Sequence, residues 1–361
     1  CIRDSVSAED KVKNKILNQT VTREITIKIL LVEFQDVKHR NPSYPSNLSL
    51  PAYTYDDFYN LFFSENKYFS PNMYSPDGEE LFGSISDYYR IMSDNNLIID
   101  GYVLNKDLDT DNIPDWITLG KAKSYYDNNR GDQFIKDSKE KAKSLGLDIS
   151  KDENMFLAII YAGHSYRSWR KTLNPEAFYD THEYIMGERF APFAPYREER
   201  DDSAINKVAT FSHIGIHVHE IGHLLGLDDL EGGFDNYYWC LMSKGAFNGP
   251  NQAGACPAPI NPYFRWMLGW ISFDRINNSS TKKLNYNLIT PEVYQLQDNC
   301  SDCFFLVEYR ELNSKMKLGE SEIRDYNSYI NGCAATYGVL VWRKLNGHFV
   351  KLLHSSGENC E

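Results

Sequence analysis

The sequence predicts an α+β protein, in which helices pack on a twisted mixed β-sheet and a β-rich region follows at the C-terminus. Two apolar runs rich in β-branched residues, Ile25 to Asp36 and Met155 to Gly163, are typical of buried strands. The stretch Gln133 to Leu147 between them has helical spacing, whereas strand-like pieces such as CFFLVEYREL and YGVLVWRKL dominate the end of the chain. We therefore expect a main domain over residues 1–271 and a β-rich region over residues 272–361 that packs on it.

Local signals predict two further segments. The stretch SPDGEELFGSISDYYRIMSD, which begins at Ser75, combines a turn with a helix whose N-cap is Ser84 or Ser86. The segment 245–262 is dense in Gly, Pro and Asn, so we expect an irregular connection there.

Charge and hydropathy argue against two kinds of partner. The 361 residues carry a formal net charge of −12, whereas a surface that binds nucleic acid or an anionic membrane needs a basic excess. The best apolar run, ITIKILLVEF, contains a lysine and a glutamate and is shorter than the roughly 20 residues that cross a bilayer. We expect neither a nucleic-acid partner nor a membrane span.

Cysteines and glycosylation sequons together favour a secreted glycoprotein. Seven cysteines are present, and the odd number leaves one thiol free or paired elsewhere, with Cys1 preferred. Cys300 and Cys303 form a single CxxC, which indicates disulfide bonds rather than a zinc ribbon. The chain begins at Cys1 without a Met, which we interpret as a processed or trimmed form. The sequons are Asn18, Asn47, Asn277, Asn278 and Asn299.

The stretch HVHEIGHLLGLDDLEGG, from His217 to Gly233, contains the pattern of a metal site. His219 and His223 lie four residues apart, so on a helix they share one face and can bind one ion. Glu220 projects near that face and can act as general base toward a zinc-activated water. The sequence therefore predicts a Zn²⁺ site on a helix.

Spacing also predicts the third ligand. Gly226 can end the helix with a positive φ, so that the chain turns back toward the ion. An acidic residue then stands where related zincins place their third ligand, which indicates Asp229, with Asp228 as the competitor. Three protein ligands leave one position open, which is typical of a catalytic zinc. A structural zinc would need a fourth ligand, for which His213 is the candidate.

Several nearby residues have weaker assignments. Met242, in WCLMSKGAF, is predicted to form a methionine turn beneath the metal. His217 lies about 200° from His219 on the helix and is predicted to be structural. His164 is either a packed histidine or a residue that touches substrate. Tyr237 and Tyr238 are either ordinary packed or surface aromatics or donors that stabilise the transition state.

The stretch DLDTDNIPD predicts either a Ca²⁺ site or a solvated acidic turn. Asp107, Asp109, Asp111 and Asp115 have the spacing of a calcium loop. The sixth position, however, is Asn112 instead of glycine, and the twelfth lacks the usual glutamate.

Several sequence blocks occur in the order of a known family: LLVEFQDVKH, GSISDYYRIMSDNNL, FLAIIYAG, HEIGHLLGLDDL, WCLMSKGAFNG and GVLVWRKL. Together they span about Ile25 to Val350 and resemble the immune inhibitor A-like secreted zinc metallopeptidases. The resemblance implies a zincin-like metallopeptidase domain, with zinc ligands at His219, His223 and Asp229, the catalytic glutamate at Glu220 and the turn methionine at Met242. Asp228 departs from the family, which commonly has proline there.

The sequence thus predicts a secreted zinc endopeptidase that hydrolyses peptide bonds in protein or peptide substrates. The alternative is a catalytically idle zincin that serves as an adhesin or protein-binding module. The intact set of ligands together with Glu220 favours the enzyme, because a binding module is free to lose these residues.

Overall fold

A computed structural model describes most of the chain. The described residues are 22–39, 52–127, 130–166, 173–191, 210–230, 238–249, 253–276, 281–285, 291–298, 303–310, 315–318, 321–324, 338–344 and 350–353. Among them, no helix combines the length and the apolar character that a membrane crossing requires.

Helices and strands are interspersed along the first three quarters of the chain, and strands alone follow in the part that the structure describes. The helices are α1 (Tyr55–Phe63), α2 (Ile85–Met92), α3 (Lys123–Tyr126), α4 (Gly131–Ser144), α5 (Ile214–Leu224) and α6 (Pro262–Met267). The strands are β1 (Arg23–Glu33), β2 (Phe69–Tyr74), β3 (Glu80–Phe82), β4 (Leu97–Val103), β5 (Ile117–Thr118), β6 (Met155–Tyr166), β7 (Glu176–Phe178), β8 (Glu183–Ala191), β9 (Thr210–Phe211), β10 (Asp274–Arg275), β11 (Tyr294–Gln297), β12 (Phe304–Arg310), β13 (Lys315–Leu318), β14 (Ser321–Arg324), β15 (Gly338–Lys344) and β16 (Val350–Leu353).

The largest sheet is mixed and has seven strands. Its main path runs β4-β1-β6-β8-β7, with β5 beside β1 and β9 beside β8. Strands β4, β1, β6 and β8 are mutually parallel, whereas β7 and β9 run antiparallel to β8. Parallel strands covered on both faces consist of near-continuous apolar residues, and β1 follows this rule with Ile27, Leu30 and Val32 fully buried.

Helix α2 connects this sheet to the helix that carries the histidine motif. Its N-terminus is fixed by a capping box, in which Ser84 accepts from the N–H of Asp87 and the Asp87 carboxylate accepts from the N–H of Ser84. The hydroxyl of Tyr89 then donates to the carbonyl of Val218 in α5, at 2.5 Å. Two buried helices are thereby held together by a polar contact as well as by packing.

A second sheet lies in the C-terminal region. It has five strands in the order β10-β11-β12-β15-β16, with β12 antiparallel to both β11 and β15. Phe304 of β12 contacts Tyr263 of α6, with ring centroids 6.1 Å apart. Two hairpins, β2-β3 and β13-β14, complete the described strands. The chain is therefore a mixed α/β protein with several sheets, and the predicted boundary at residues 271 and 272 falls between α6 and β10.

The local predictions agree with these elements. The expected strands correspond to β1 and β6, the expected helices to α2, with Ser84 as its N-cap, and α4. The segment 245–262 contains only the end of a 3₁₀ turn, Lys244–Phe247, and the start of α6 as regular structure in its described part.

The cysteine prediction is tested only in part. Cys240 is a buried free thiol and Cys256 is also buried, whereas Cys1, the cysteine preferred as unpaired, lies outside the described residues. Each side chain is enclosed by its own neighbours, because the Asn261 amide donates to the Cys240 sulfur and Cys256 packs against Phe82. Cys303 is disulfide-bonded, the pairings of the cysteines outside the described residues stay predictions, and the sequons also lie outside the described residues.

Candidate metal centre

Helix α5 places the histidine motif in the interior of the molecule. Its N-cap is His213, and the apolar residues between the histidines are buried. The helix ends at Leu224, and two residues later Gly226 has a φ of +93°, a left-handed value that favours glycine. The N–H of Leu227 donates to the carbonyl of Gly222, so the chain turns back and returns Asp229 to the exposed side of the helix.

The turn brings three polar side chains together. The Nε2 atoms of His219 and His223 lie 3.2 Å apart. The Oδ1 atom of Asp229 lies 3.3 Å from the first of these nitrogens and 3.6 Å from the second. One ligand atom from each residue can thus contact a single ion. The adjacent Asp228 is exposed and is outside this group.

Backbone carbonyls fix the orientation of both imidazoles. The Nδ1 atom of His219 lies 3.0 Å from the carbonyl oxygen of Leu241, and Nδ1 of His223 lies 2.8 Å from that of Leu227. An imidazole that donates from Nδ1 to a carbonyl presents an unprotonated Nε2, which is the form that binds a metal. Neither carbonyl has a recognisable pattern in the sequence.

Met242 lies directly against the helix that carries the histidines. Its side chain is fully buried, and a Cβ added at Gly222 would stand 2.6 Å from its sulfur. Its carbonyl oxygen accepts from the N–H of Leu230, at 2.8 Å. The turn that contains Met242 therefore contacts α5 and also holds the segment that contains Asp229.

Glu220 is buried beside the three side chains. Only 6% of the residue is exposed, and burial raises the pKa of its carboxyl, although the charges of His219 and His223 oppose that rise. Burial alone would lower the pKa of His219, but the carboxylates of Asp229 and Glu220 raise it to about 9. An acid with a raised pKa is suited to taking and returning a proton near neutral pH.

The other histidines lie outside this group. His217 is buried, with its Nδ1 atom 3.0 Å from the hydroxyl of Tyr184, and burial lowers its pKa to about 3. His213 is also buried, and its Nε2 atom lies 2.5 Å from the carboxylate of Glu79. His164 is half-buried on β6, where the strand register shifts.

Of the two tyrosines predicted as possible donors, the structure describes one. Tyr237 lies outside the described residues. Tyr238 is half-buried in the segment before Met242, its carbonyl accepts from the amide of Asn248, and its ring lies 5.7 Å from the ammonium of Lys244.

Three of the four aspartates in the acidic loop lie close together. Asp107, Asp109 and Asp111 each have a carboxylate oxygen within 4.8 Å of the others. Asp115 lies outside this group, and one of its carboxylate oxygens accepts from the N–H of Leu108. The calcium assignment stays a prediction.

Comparison with known proteins gives limited similarity. No protein family model matches the chain. Immune inhibitor A of Bacillus thuringiensis subsp. alesti is 25% identical over an alignment of 328 positions, which covers 75% of this chain and 44% of that protein. The chain therefore spans less than half the length of this relative.

Two solved structures match the chain with low scores. A zinc-dependent peptidase from Methanocorpusculum labreanum matches 51% of this chain and 90% of its own, with 14% identity and a TM-score of 0.30. OgpA from Akkermansia muciniphila matches 97% of this chain and 96% of its own, with 12% identity and a TM-score of 0.25. Both scores are too low to define the fold.

Proposed function

We propose that this chain is a secreted zinc endopeptidase that hydrolyses peptide bonds in protein substrates. One observation carries the proposal. Zinc bonds of about 2.0 to 2.2 Å in a tetrahedral arrangement place two ligand atoms about 3.3 to 3.6 Å apart. The three separations among His219, His223 and Asp229 are 3.2, 3.3 and 3.6 Å. These residues fit a zinc ion and are the ligands that we propose.

The surroundings of the ligands favour a catalytic rather than a structural zinc. Among the described residues the group contains three metal-binding side chains. The side chains of His219, His223 and Asp229 are 16%, 24% and 67% exposed. His213, the candidate for a fourth ligand, is instead paired with Glu79. A site with three ligands that opens to solvent can admit a substrate.

Proton transfer would be performed by Glu220. When bound, zinc supplies a Lewis acid that polarises a carbonyl and lowers the pKa of water. The Glu220 carboxylate would take a proton from the attacking water and deliver it to the nitrogen of the leaving amine. Its burial raises the pKa of its carboxyl, which favours accepting that proton, and the neighbouring charges of His219 and His223 limit the rise.

Substrate class and location rest on other observations. The similarity to immune inhibitor A over 75% of the chain supports a peptidase of that kind, and hence protein substrates. The seven cysteines and the N-x-S/T triplets support export from the cell.

Cleavage of casein by the purified chain, with and without a zinc chelator, tests the proposal. We expect hydrolysis that the chelator abolishes and that added zinc restores. The Glu220→Gln variant should fold and bind zinc but lose about 1,000-fold in rate. Zinc binding without cleavage of any protein tested would favour the alternative of an idle binding module, and substantial hydrolysis by the variant would refute the role of Glu220.

A further inference from the structure

The segment that orients His219 is held in place by the C-terminal sheet. The carbonyl of Leu241 faces His219, and two residues earlier the carbonyl of Trp239 accepts a hydrogen bond from Nη1 of Arg310, at 2.7 Å. Arg310 is the last residue of β12, 71 positions away in the sequence. Another hydrogen bond to this segment comes from the C-terminal side of the same domain, where the carbonyl of Pro259 accepts from the N–H of Leu241.

Arg310 belongs to a buried network of charged and polar groups. Its Nη2 atom lies 2.8 Å from Oε1 of Glu308, and the same oxygen accepts from the indole N–H of Trp342 at 2.7 Å. Arg310 and Glu308 have side chains that are 3% and 5% exposed, and Trp342 is fully buried. The side chain of Arg310 is thus fixed by β12 and β15 before it reaches Trp239.

A buried ion pair of this kind is poor evidence for a gain in stability, because removing both charges from water costs about as much as their attraction returns. Its geometric effect is better defined. A guanidinium donates in a rigid planar fork, and here one arm contacts Glu308 while the other contacts the carbonyl of Trp239. The C-terminal sheet therefore contributes a directional hydrogen bond to that carbonyl.

We infer that Arg310 is a positioning residue for the zinc centre, which acts through Trp239 and Leu241 on the orientation of His219. This inference rests on the proposed function, since it concerns the same ligand. It also gives the C-terminal region a specific role, because the sheet would supply part of the support of the active site. Replacing a residue that orients a metal ligand without itself contacting the metal lowers metal affinity about 10- to 100-fold.

Zinc affinity of the full chain, measured by competition with a chromophoric chelator well below the melting temperature, tests the inference. Arg310→Met combined with Glu308→Gln removes both charges and leaves an acceptor for Trp342, so the fold should be retained. We expect this variant to bind zinc about 10- to 100-fold more weakly. Arg310→Lys, which keeps the charge but loses the fork, should also weaken binding, and its cobalt form should show an altered visible spectrum.

Arg343 provides a matched control. It lies in β15 of the same sheet, and its Nε atom pairs with Asp298 at 2.8 Å. Arg343→Met should leave zinc affinity within about twofold of the original. Unchanged zinc affinity in both Arg310 variants would overturn the inference while leaving the proposed function intact. Failure of the unaltered chain to bind zinc would overturn both.

Discussion

The Nδ1 atom of His219 lies 3.0 Å from the carbonyl oxygen of Leu241, 22 residues further along the chain. This contact determines which nitrogen of the imidazole faces the proposed zinc. The following residue, Met242, uses its carbonyl to hold Leu230, next to Asp229. One short segment therefore orients one ligand from helix α5 and restrains another from the turn that follows the helix.

The two adjacent aspartates should differ in their effect on zinc binding. Asp229→Asn removes the charge of the residue that approaches both histidines, and we expect zinc affinity to fall at least about 100-fold. Asp228→Asn is the matched control, because this exposed neighbour lies outside the group. Equal losses in the two variants, measured by chelator competition, would contradict the assignment of Asp229.

Replacing Gly226 should affect both stability and metal binding. Gly226→Ala places a Cβ at a φ of +93°, which we expect to destabilise the fold by about 1 to 2 kcal/mol and to weaken zinc binding by displacing Asp229. Gly146→Ala introduces comparable strain, at a φ of +74° after helix α4. The control should therefore melt earlier but keep its zinc affinity. Calorimetry together with zinc titration separates the two effects.

Glu188 should make the protein less stable as pH rises. Burial raises its pKa to about 8, and among the described residues its Oε2 atom has no hydrogen-bond partner. Above about pH 4.5 the unfolded chain releases this proton, whereas the folded chain keeps it. The free energy of unfolding therefore declines by up to about 1.4 kcal/mol per pH unit until the pH reaches the folded pKa. Glu188→Gln should abolish this decline in urea unfolding curves, and an unaltered slope would refute the assignment.

Glu183 provides the opposite case on the same strand. It is as deeply buried as Glu188, but its pKa is lowered because hydrogen bonds from Lys139 and Lys151 outweigh the effect of burial. Its contribution to stability is present above the unfolded pKa of about 4.5 and is lost as pH falls through the lower folded pKa. Glu183→Gln should therefore destabilise the chain at neutral pH, with a difference that shrinks in acid.

The sequence predicts the elements whose signal is local. The apolar run of β1 and the helical spacing of α4 each lie within one short stretch, so periodicity identifies them. The proposed ligands follow the same rule, because His219, His223 and Asp229 all lie within eleven residues and the turn at Gly226 has a known backbone requirement.

Contacts between distant segments are not predictable in this way. The carbonyl of Leu241 and the guanidinium of Arg310 reach the site only through tertiary packing, and a carbonyl group is present in every residue. The acidic loop shows a related limit, since spacing groups Asp115 with its neighbours whereas its carboxylate accepts from Leu108. The burial of Cys240 and Cys256 likewise depends on which neighbours enclose them.

Zinc content of the purified chain, determined by elemental mass spectrometry, tests the central claim most directly. The geometry of His219, His223 and Asp229 predicts one zinc per chain, lost when both histidines are replaced by alanine. Absence of zinc in the unaltered chain after reconstitution, or its retention by the double variant, would contradict the proposed centre.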